Sequence, residues 1–212
     1  IFWAEEEDVL RRVRPLPDGR WEFESTEFGT LIGELGGSFQ VANARTVLTA
    51  LNIFFHPVLR KILPEAVRQG FAHVVGLAGR WQTIAHRPTI ICDSGHNVGA
   101  WTRLRPLLDE TAKRHARLHM VVGMSSDKDI ATVLRLMPPH ATYYFTQADT
   151  DRALSADELS RLGADARLTG KAYATVPEAI RAAQAAATTD DMIFVGGSHF
   201  VLADALPLLT QN

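Results

Sequence analysis

Two rhythms of apolar and polar positions divide this chain of 212 residues. Near the start, Trp21, Glu22, Phe23 and Glu24 alternate with period two, which predicts a half-buried strand. Residues 30–35 are expected to pair with it. Val47, Leu48, Leu51, Phe54 and Phe55 recur at helical spacing and predict a helix over residues 40–55. A second short helix is expected over 64–70, with Pro64 in its first turn and Gly70 as its stop. Ahead of these, Glu5, Glu6, Glu7 and Asp8 precede Arg11, Arg12 and Arg14. That order suits a helix dipole and predicts a short acidic helix. Residues 76–80 read as a connection, and a domain boundary is expected there.

After residue 82 the rhythm changes. Short apolar runs at 89–92, 118–122, 142–145 and 192–195, with a weaker one at 171–174, alternate with helical segments at about 97–115, 127–136, 155–163 and 177–188. Ser155 and Glu158 have capping-box spacing. Pro106 is expected to kink or split its helix. Strand–helix alternation predicts an α/β fold with a mostly parallel, Rossmann-like sheet covered by helices on both faces.

Composition narrows the function classes. Lys and Arg number 22 against 24 Asp and Glu, so the basic footprint of a nucleic-acid binder is not expected. No apolar run approaches the roughly 18 residues of a membrane helix, and no basic-then-apolar leader opens the chain. The lone cysteine, Cys92, cannot form an internal disulfide, which fits a reducing, cytoplasmic setting. The first residue is Ile1 rather than methionine, so the chain is expected to be processed or to be a piece of something longer.

In open parallel sheets, ligands gather beyond the carboxyl ends of the strands. Three polar clusters fall there. In Asp93-Ser94-Gly95-His96-Asn97, Asp93 could bind ribose hydroxyls or a metal and His96 could meet phosphate or carry a proton. Asn97 could simply cap the next helix. In the segment 123–129, Lys128 could face a phosphate, although a helix start capped by Ser126 or Asp127 is the preferred reading. In Gly196-Gly197-Ser198-His199, the glycines could let backbone amides approach a ligand, or could serve only the turn. No GxxxxGK[ST] loop, GxGxxG motif or Cys–His cluster occurs in the sequence. His56, His73 and His86 lie in or beside apolar stretches and are expected to be structural.

Taken in order, Gly79-Arg80-Trp81-Gln82, Asp93-Ser94-Gly95-His96-Asn97, Asp127-Lys128-Asp129-Ile130 and Gly196-Gly197-Ser198 resemble the carboxy-terminal part of folylpolyglutamate synthase/dihydrofolate synthase, of the Mur ligase superfamily. Gly37, Gln40, Asn43 and Ala44 resemble the family's G-x-H-Q-x-x-N-A stretch. Three positions depart from its pattern: Gly95 replaces an alanine, Val98 a proline and Phe39 a histidine.

The resemblance implies an ADP-forming ligase that uses ATP and Mg²⁺ to convert a pteroate or folate carboxylate into an acyl phosphate, which the amine of L-glutamate then attacks. It implies that Gln40 and Asn43 lie near the adenine and that Arg80 reaches the terminal phosphates. Asp93 would touch the ribose or position the linker. His96 would lie near the transferred phosphate and the glutamate, and Ser198 would help hold the glutamate. It also implies that residues 1–75 are the tail of an ATP-binding domain and 76–212 a complete glutamate-ligase domain. The phosphate loop and metal ligands would then belong to an amino-terminal part not contained in this sequence, and the chain alone would be inactive. The alternatives are a peptidoglycan Mur ligase, disfavoured by Gln40 and the Asp127-Lys128-Asp129 run, and a non-catalytic amino-acid or nucleotide-binding module.

Overall fold

The computed structural model describes residues 3–16, 19–54, 63–74 and 77–210. They form two compact units, 1–80 and 81–212.

In the first unit, β1 (Leu10–Pro15), β2 (Trp21–Ser25) and β3 (Gly29–Gly33) make an antiparallel sheet in chain order. The acidic helix expected at the start does not form. Residues 4–6 are a turn, and Arg11, Arg12 and Arg14 lie on β1. Pairing with β2 outweighs the local charge order, and Arg14 meets Glu22 across the strands at 2.8 Å. Helix α1 (Gln40–Phe54) and α2 (Leu63–Ala72) complete the unit. Phe23, Leu31, Leu48 and Val67 are buried in its core. Gly70 lies inside α2 rather than ending it, and two further residues remain helical. The apolar stripe of α1 is only partly covered: Leu48 is buried, whereas Val47 and Phe54 are exposed, and Phe55 and His56 lie outside the described residues.

The second unit is a six-stranded sheet in the order β4-β5-β9-β6-β7-β8. Its strands are β4 (Gln82–His86), β5 (Thr89–Asp93), β6 (Leu118–Val122), β7 (Thr142–Thr146), β8 (Thr169–Tyr173) and β9 (Met192–Gly196). All pairs are parallel except the β4–β5 hairpin. Strand β4 has no apolar run and escaped the sequence reading. Helices α3 (Val98–Ala112), α4 (Ile130–Leu136) and α5 (Ala156–Asp165) pack in series. Helix α6 (Val176–Ala186) packs with α7 (His199–Leu209) over Ile90, Cys92, Val121, Ile193 and Val195.

Pro106 does not split α3, which runs unbroken from Val98 to Ala112. Trp101, Leu104 and Leu108 are fully buried, and burying three large side chains outweighs the roughly 3 kcal/mol that an internal proline costs. The Arg105 guanidinium donates to the carbonyls of Leu136 and Met137, at 3.1 and 2.8 Å, and so closes the carboxyl end of α4. Ser155 caps α5 by accepting the Glu158 N–H.

Candidate functional site

The carboxyl ends of three adjacent strands meet at one level. Asp93 of β5 pairs with Gly196 of β9, and Gly196 pairs with Val122 of β6. Strand β9 feeds α7 on one face of the sheet, while its neighbours β5 and β6 feed α3 and α4 on the other. This edge is therefore the topological switch point, where such sheets bind ligands in a crevice. All three sequence clusters lie on it.

The glycines here serve close approach as well as turning. A Cβ on Gly196 would stand 2.2 Å from the Asp93 carbonyl oxygen, and one on Gly123 2.7 Å from that of Thr146. Gly197 adds a φ of +91°, which L side chains rarely adopt. Gly95, where the family pattern has alanine, is filled from outside: a Cβ would stand 2.4 Å from Leu104 Cδ1.

Asp93 is buried and both of its oxygens accept backbone amides. Oδ1 takes the Gly95 N–H and Oδ2 the Trp81 N–H, each at 2.8 Å. The first bond shapes the 93–97 loop. The second holds the residue after Arg80, where the backbone passes through two left-handed positions, Gly79 at φ +70° and Trp81 at φ +50°. Trp101 donates its indole N–H to the Gly95 carbonyl at 3.2 Å and fixes the loop from beneath. Asn97 caps α3, accepting the Ala100 N–H at 2.9 Å.

His96 is half-buried. Its Nδ1 lies 3.1 Å from the Ser94 carbonyl, and since a carbonyl only accepts, Nδ1 carries the proton and Nε2 is the nitrogen presented outward. The ring of His96 faces that of His199 with centroids 5.4 Å apart. Ser198, 4% exposed, caps α7 by accepting the Phe200 N–H at 3.2 Å. Its Oγ lies 3.5 Å from Ser125 Oγ, and Ser125 is 6% exposed. Sequence pattern pointed to roles for His96 and Ser198 but to none for His199 and Ser125, whose only signal was their place in the clusters 196–199 and 123–129.

Helix α4 begins later than expected and is capped by Asp129, which accepts the Thr132 N–H, not by Ser126 or Asp127. Lys128 is paired with Asp127 at 3.0 Å, and Arg152 reaches the same carboxylate at 3.3 Å. These cations hold the Asp127 carboxyl below its ordinary range, led by the Lys128 hydrogen bond. His73 and His86 are exposed rather than packed. Among the described residues the buried histidine is His119, at the opposite end of the sheet.

Gln40 and Asn43 belong to the first unit. Gln40 is 6% exposed, and its Oε1 accepts the Asn43 Nδ2–H at 3.0 Å, while its Nε2 is buried without a hydrogen-bond partner. Both line a cleft of about 510 Å³ walled by Phe23, Leu51, Val67 and Phe71. Arg80, half-buried, is the last residue of this unit. Among the described residues, no three His, Cys, Asp or Glu side chains converge as a metal site.

Residues 79–199 match the model of the Mur ligase glutamate ligase domain. The chain belongs to the Mur ligase family. Among relatives of this Mur ligase chain, the probable bifunctional folylpolyglutamate synthase/dihydropteroate synthase of Haloferax volcanii is 30% identical over 183 residues, 82% of this chain and 20% of that protein. The dihydrofolate synthase/folylpolyglutamate synthase of Escherichia coli is 27% identical over 216 residues, 97% of this chain and 48% of its own length. The solved structure of E. coli FolC in complex with DHPP and ADP superposes with a TM-score of 0.70 at 27% identity, covering 92% of this chain and 44% of that one. A bifunctional folylpolyglutamate synthase/dihydrofolate synthase with Mn, AMPPNP and L-glutamate bound gives 0.64 at 30% identity, covering 89% and 44%. The Mur ligase chain thus spans about half the length of these synthases, and a fifth of the longer Haloferax protein.

Proposed function

We propose that this chain is the carboxy-terminal part of an ATP-dependent ligase that joins L-glutamate to dihydropteroate, a reduced folate, or both. In this reading residues 1–75 end the ATP-binding domain and 76–212 form the glutamate-ligase domain. The exposed Val47 and Phe54 on α1 suit a helix whose outer face belongs to a larger domain. The observation that carries the reading is the convergence of Asp93, His96 and Ser198 on one crevice, in a chain whose relatives are named as folate ligases.

The residues present fit a nucleotide. The cleft at Gln40 is walled by apolar side chains and holds one buried, unpartnered N–H donor, which suits a flat heterocycle with a ring-nitrogen acceptor. Gln40 and Asn43 would hold the adenine there, and ATP would supply the phosphoryl group that activates the carboxylate. Arg80, always protonated, would oppose charge developing on the phosphates. Asp93 would position the linker through the Trp81 amide or touch the ribose; the amide it already accepts at Oδ2 supports the first role. His96 Nε2 would accept a proton from the incoming ammonium, and Ser198 would orient the amino acid. The glutamate nitrogen then bonds to the acyl carbon, the carbon–oxygen bond to phosphate breaks, and inorganic phosphate leaves. Mg²⁺ and the phosphate loop would be held by the part of the relatives' length that this chain does not span.

The test is incorporation of labelled L-glutamate by the full-length gene product with ATP and Mg²⁺, offering dihydropteroate, a reduced folate and a UDP-muramyl acceptor in parallel. Transfer to either pterin acceptor supports the reading. Transfer to the muramyl acceptor alone, or to none, overturns it.

A further inference from the structure

The residue before His96 is the most permissive of its loop. Gly95 has no Cβ to restrict its backbone, yet it is held at both ends. Its N–H donates to Asp93 Oδ1 at 2.8 Å, and its carbonyl accepts the indole N–H of Trp101 at 3.2 Å. That carbonyl belongs to the planar peptide unit leading into His96, so fixing its oxygen fixes the backbone on which the imidazole stands. The Ser94 carbonyl, in the same loop, meets His96 Nδ1 at 3.1 Å. The ring therefore keeps its tautomer only while the loop keeps its shape. Trp101 is anchored for this task. It is fully buried in the first turn of α3, and its backbone N–H donates to the Asn97 carbonyl at 3.0 Å. Its ring stands edge-on to Phe194 of β9 with centroids 5.8 Å apart, and Trp81 packs on the same Phe194 at 6.4 Å. A side chain at position 95 could not stiffen the loop instead, because its Cβ would stand 2.4 Å from Leu104 Cδ1 and 3.2 Å from Ala100 Cβ. Packing alone would accept a phenylalanine at position 101; the hydrogen bond needs the indole.

We propose that Trp101 is a positioning residue for His96: its indole N–H, acting through the Gly95 carbonyl, holds the imidazole with Nδ1 protonated and Nε2 ready to take a proton from the incoming ammonium. The proposal rests on the ligase reading above and names the residue on which its proton-removal step depends. Because Trp101 is fully buried, it acts through the loop and not by contact with a substrate.

The experiment removes the N–H and keeps the ring. Benzothienylalanine at position 101 retains the bicyclic shape of tryptophan with sulfur in place of the N–H, and Trp101→Phe is the encoded second variant. The full-length gene product is given ATP, Mg²⁺ and a pterin acceptor with either of two nucleophiles. Glutamate arrives as an ammonium and must first pass one proton to His96, whereas hydroxylamine is already a free amine at neutral pH. In both reactions the nitrogen bonds to the acyl carbon, the carbon–oxygen bond to phosphate breaks, phosphate leaves, and the nitrogen releases one proton to water. Both variants should lower kcat for glutamate ligation about tenfold, the scale of a slightly misplaced catalytic group. Hydroxamate formation and the KM for ATP should stay at the parent level. An unchanged glutamate kcat, or an equal fall in both reactions, overturns the proposal, and the isostere decides where Trp101→Phe also loosens the fold. Nitrogen-15 imidazole spectra of the 212-residue chain read the tautomer without turnover. The parent should show His96 as a single Nδ1–H form and the isostere a mixture. Any other form in the parent, or the same single form in both, overturns the proposal. A parent protein that forms neither product removes the ligase reading itself, and the spectra then still decide the role of Trp101.

Discussion

Asp93 accepts the backbone N–H of Trp81 at 2.8 Å, and so ties the start of the second unit to the end of its first parallel strand. The same carboxylate accepts the Gly95 N–H, so one buried side chain sets both the linker and the 93–97 loop. Asp93→Ala strands two amides. It is expected to lower stability by about 2–4 kcal/mol, because charged hydrogen bonds are worth more than neutral ones. Urea denaturation of the 212-residue chain measures this. A loss under about 1 kcal/mol would mean that the carboxylate is not the tie.

Glycine substitutions should separate by sign. Gly70 sits inside α2 with open space around a would-be Cβ, so Gly70→Ala should stabilise the chain by about 0.5–1 kcal/mol. Gly196→Ala would press a methyl against the Asp93 carbonyl and should cost several times more. Thermal midpoints of the two variants should move in opposite directions.

The buried His119 makes stability depend on pH. Its Nδ1 lies 3.0 Å from the Tyr144 hydroxyl and its Nε2 3.5 Å from Asp191. Burial lowers its pKa, and the neighbouring Asp191 carboxylate only partly offsets this. Above the ordinary histidine value of about 6.5 the ring is neutral folded or unfolded, and stability is full. As pH falls below that value the unfolded chain takes up the proton first, so stability is lost until the folded ring also titrates. Asp191 acts lower still. Burial opposes its charge, but the Thr188 amide and the Arg117 guanidinium hold its carboxyl well below the ordinary range, so its share is lost only in strong acid. Urea midpoints at pH 7.5 and 5.5 should differ in the parent, and the difference should shrink in His119→Gln.

Cys92 lies on β5 beside Asp93 and is fully buried. Burial, aided by the neighbouring carboxylate, pushes its thiol up to about 12. It should resist alkylation at pH 8 in the folded chain and react readily in urea. Fast modification of native protein would contradict that packing.

The parallel sheet was legible because each of its strands but one is a short apolar run between helical segments. The weak strand β8 was still found, whereas β4 was missed. With exposed Gln82, Thr83 and His86, β4 is an edge strand held by its hairpin partner rather than by burial. The arginines of β1 misled for a related reason: charge order is a local signal, and strand pairing is not. At the site, the strand-end clusters pointed to His96 and Ser198. The partners His199 and Ser125 became visible only when three strand ends were brought to one level. The cap of α4 was misplaced because Ser126, Asp127 and Asp129 all suit that role, and only the backbone chooses among them.

The central claim is that the full-length protein activates a pterin-linked carboxylate as an acyl phosphate before glutamate attacks. Labelling the acceptor carboxylate with oxygen-18 tests it directly. Ligation through an acyl phosphate leaves one labelled oxygen in the inorganic phosphate, with ADP as the nucleotide product. Phosphate free of label, or release of AMP and pyrophosphate, would contradict it.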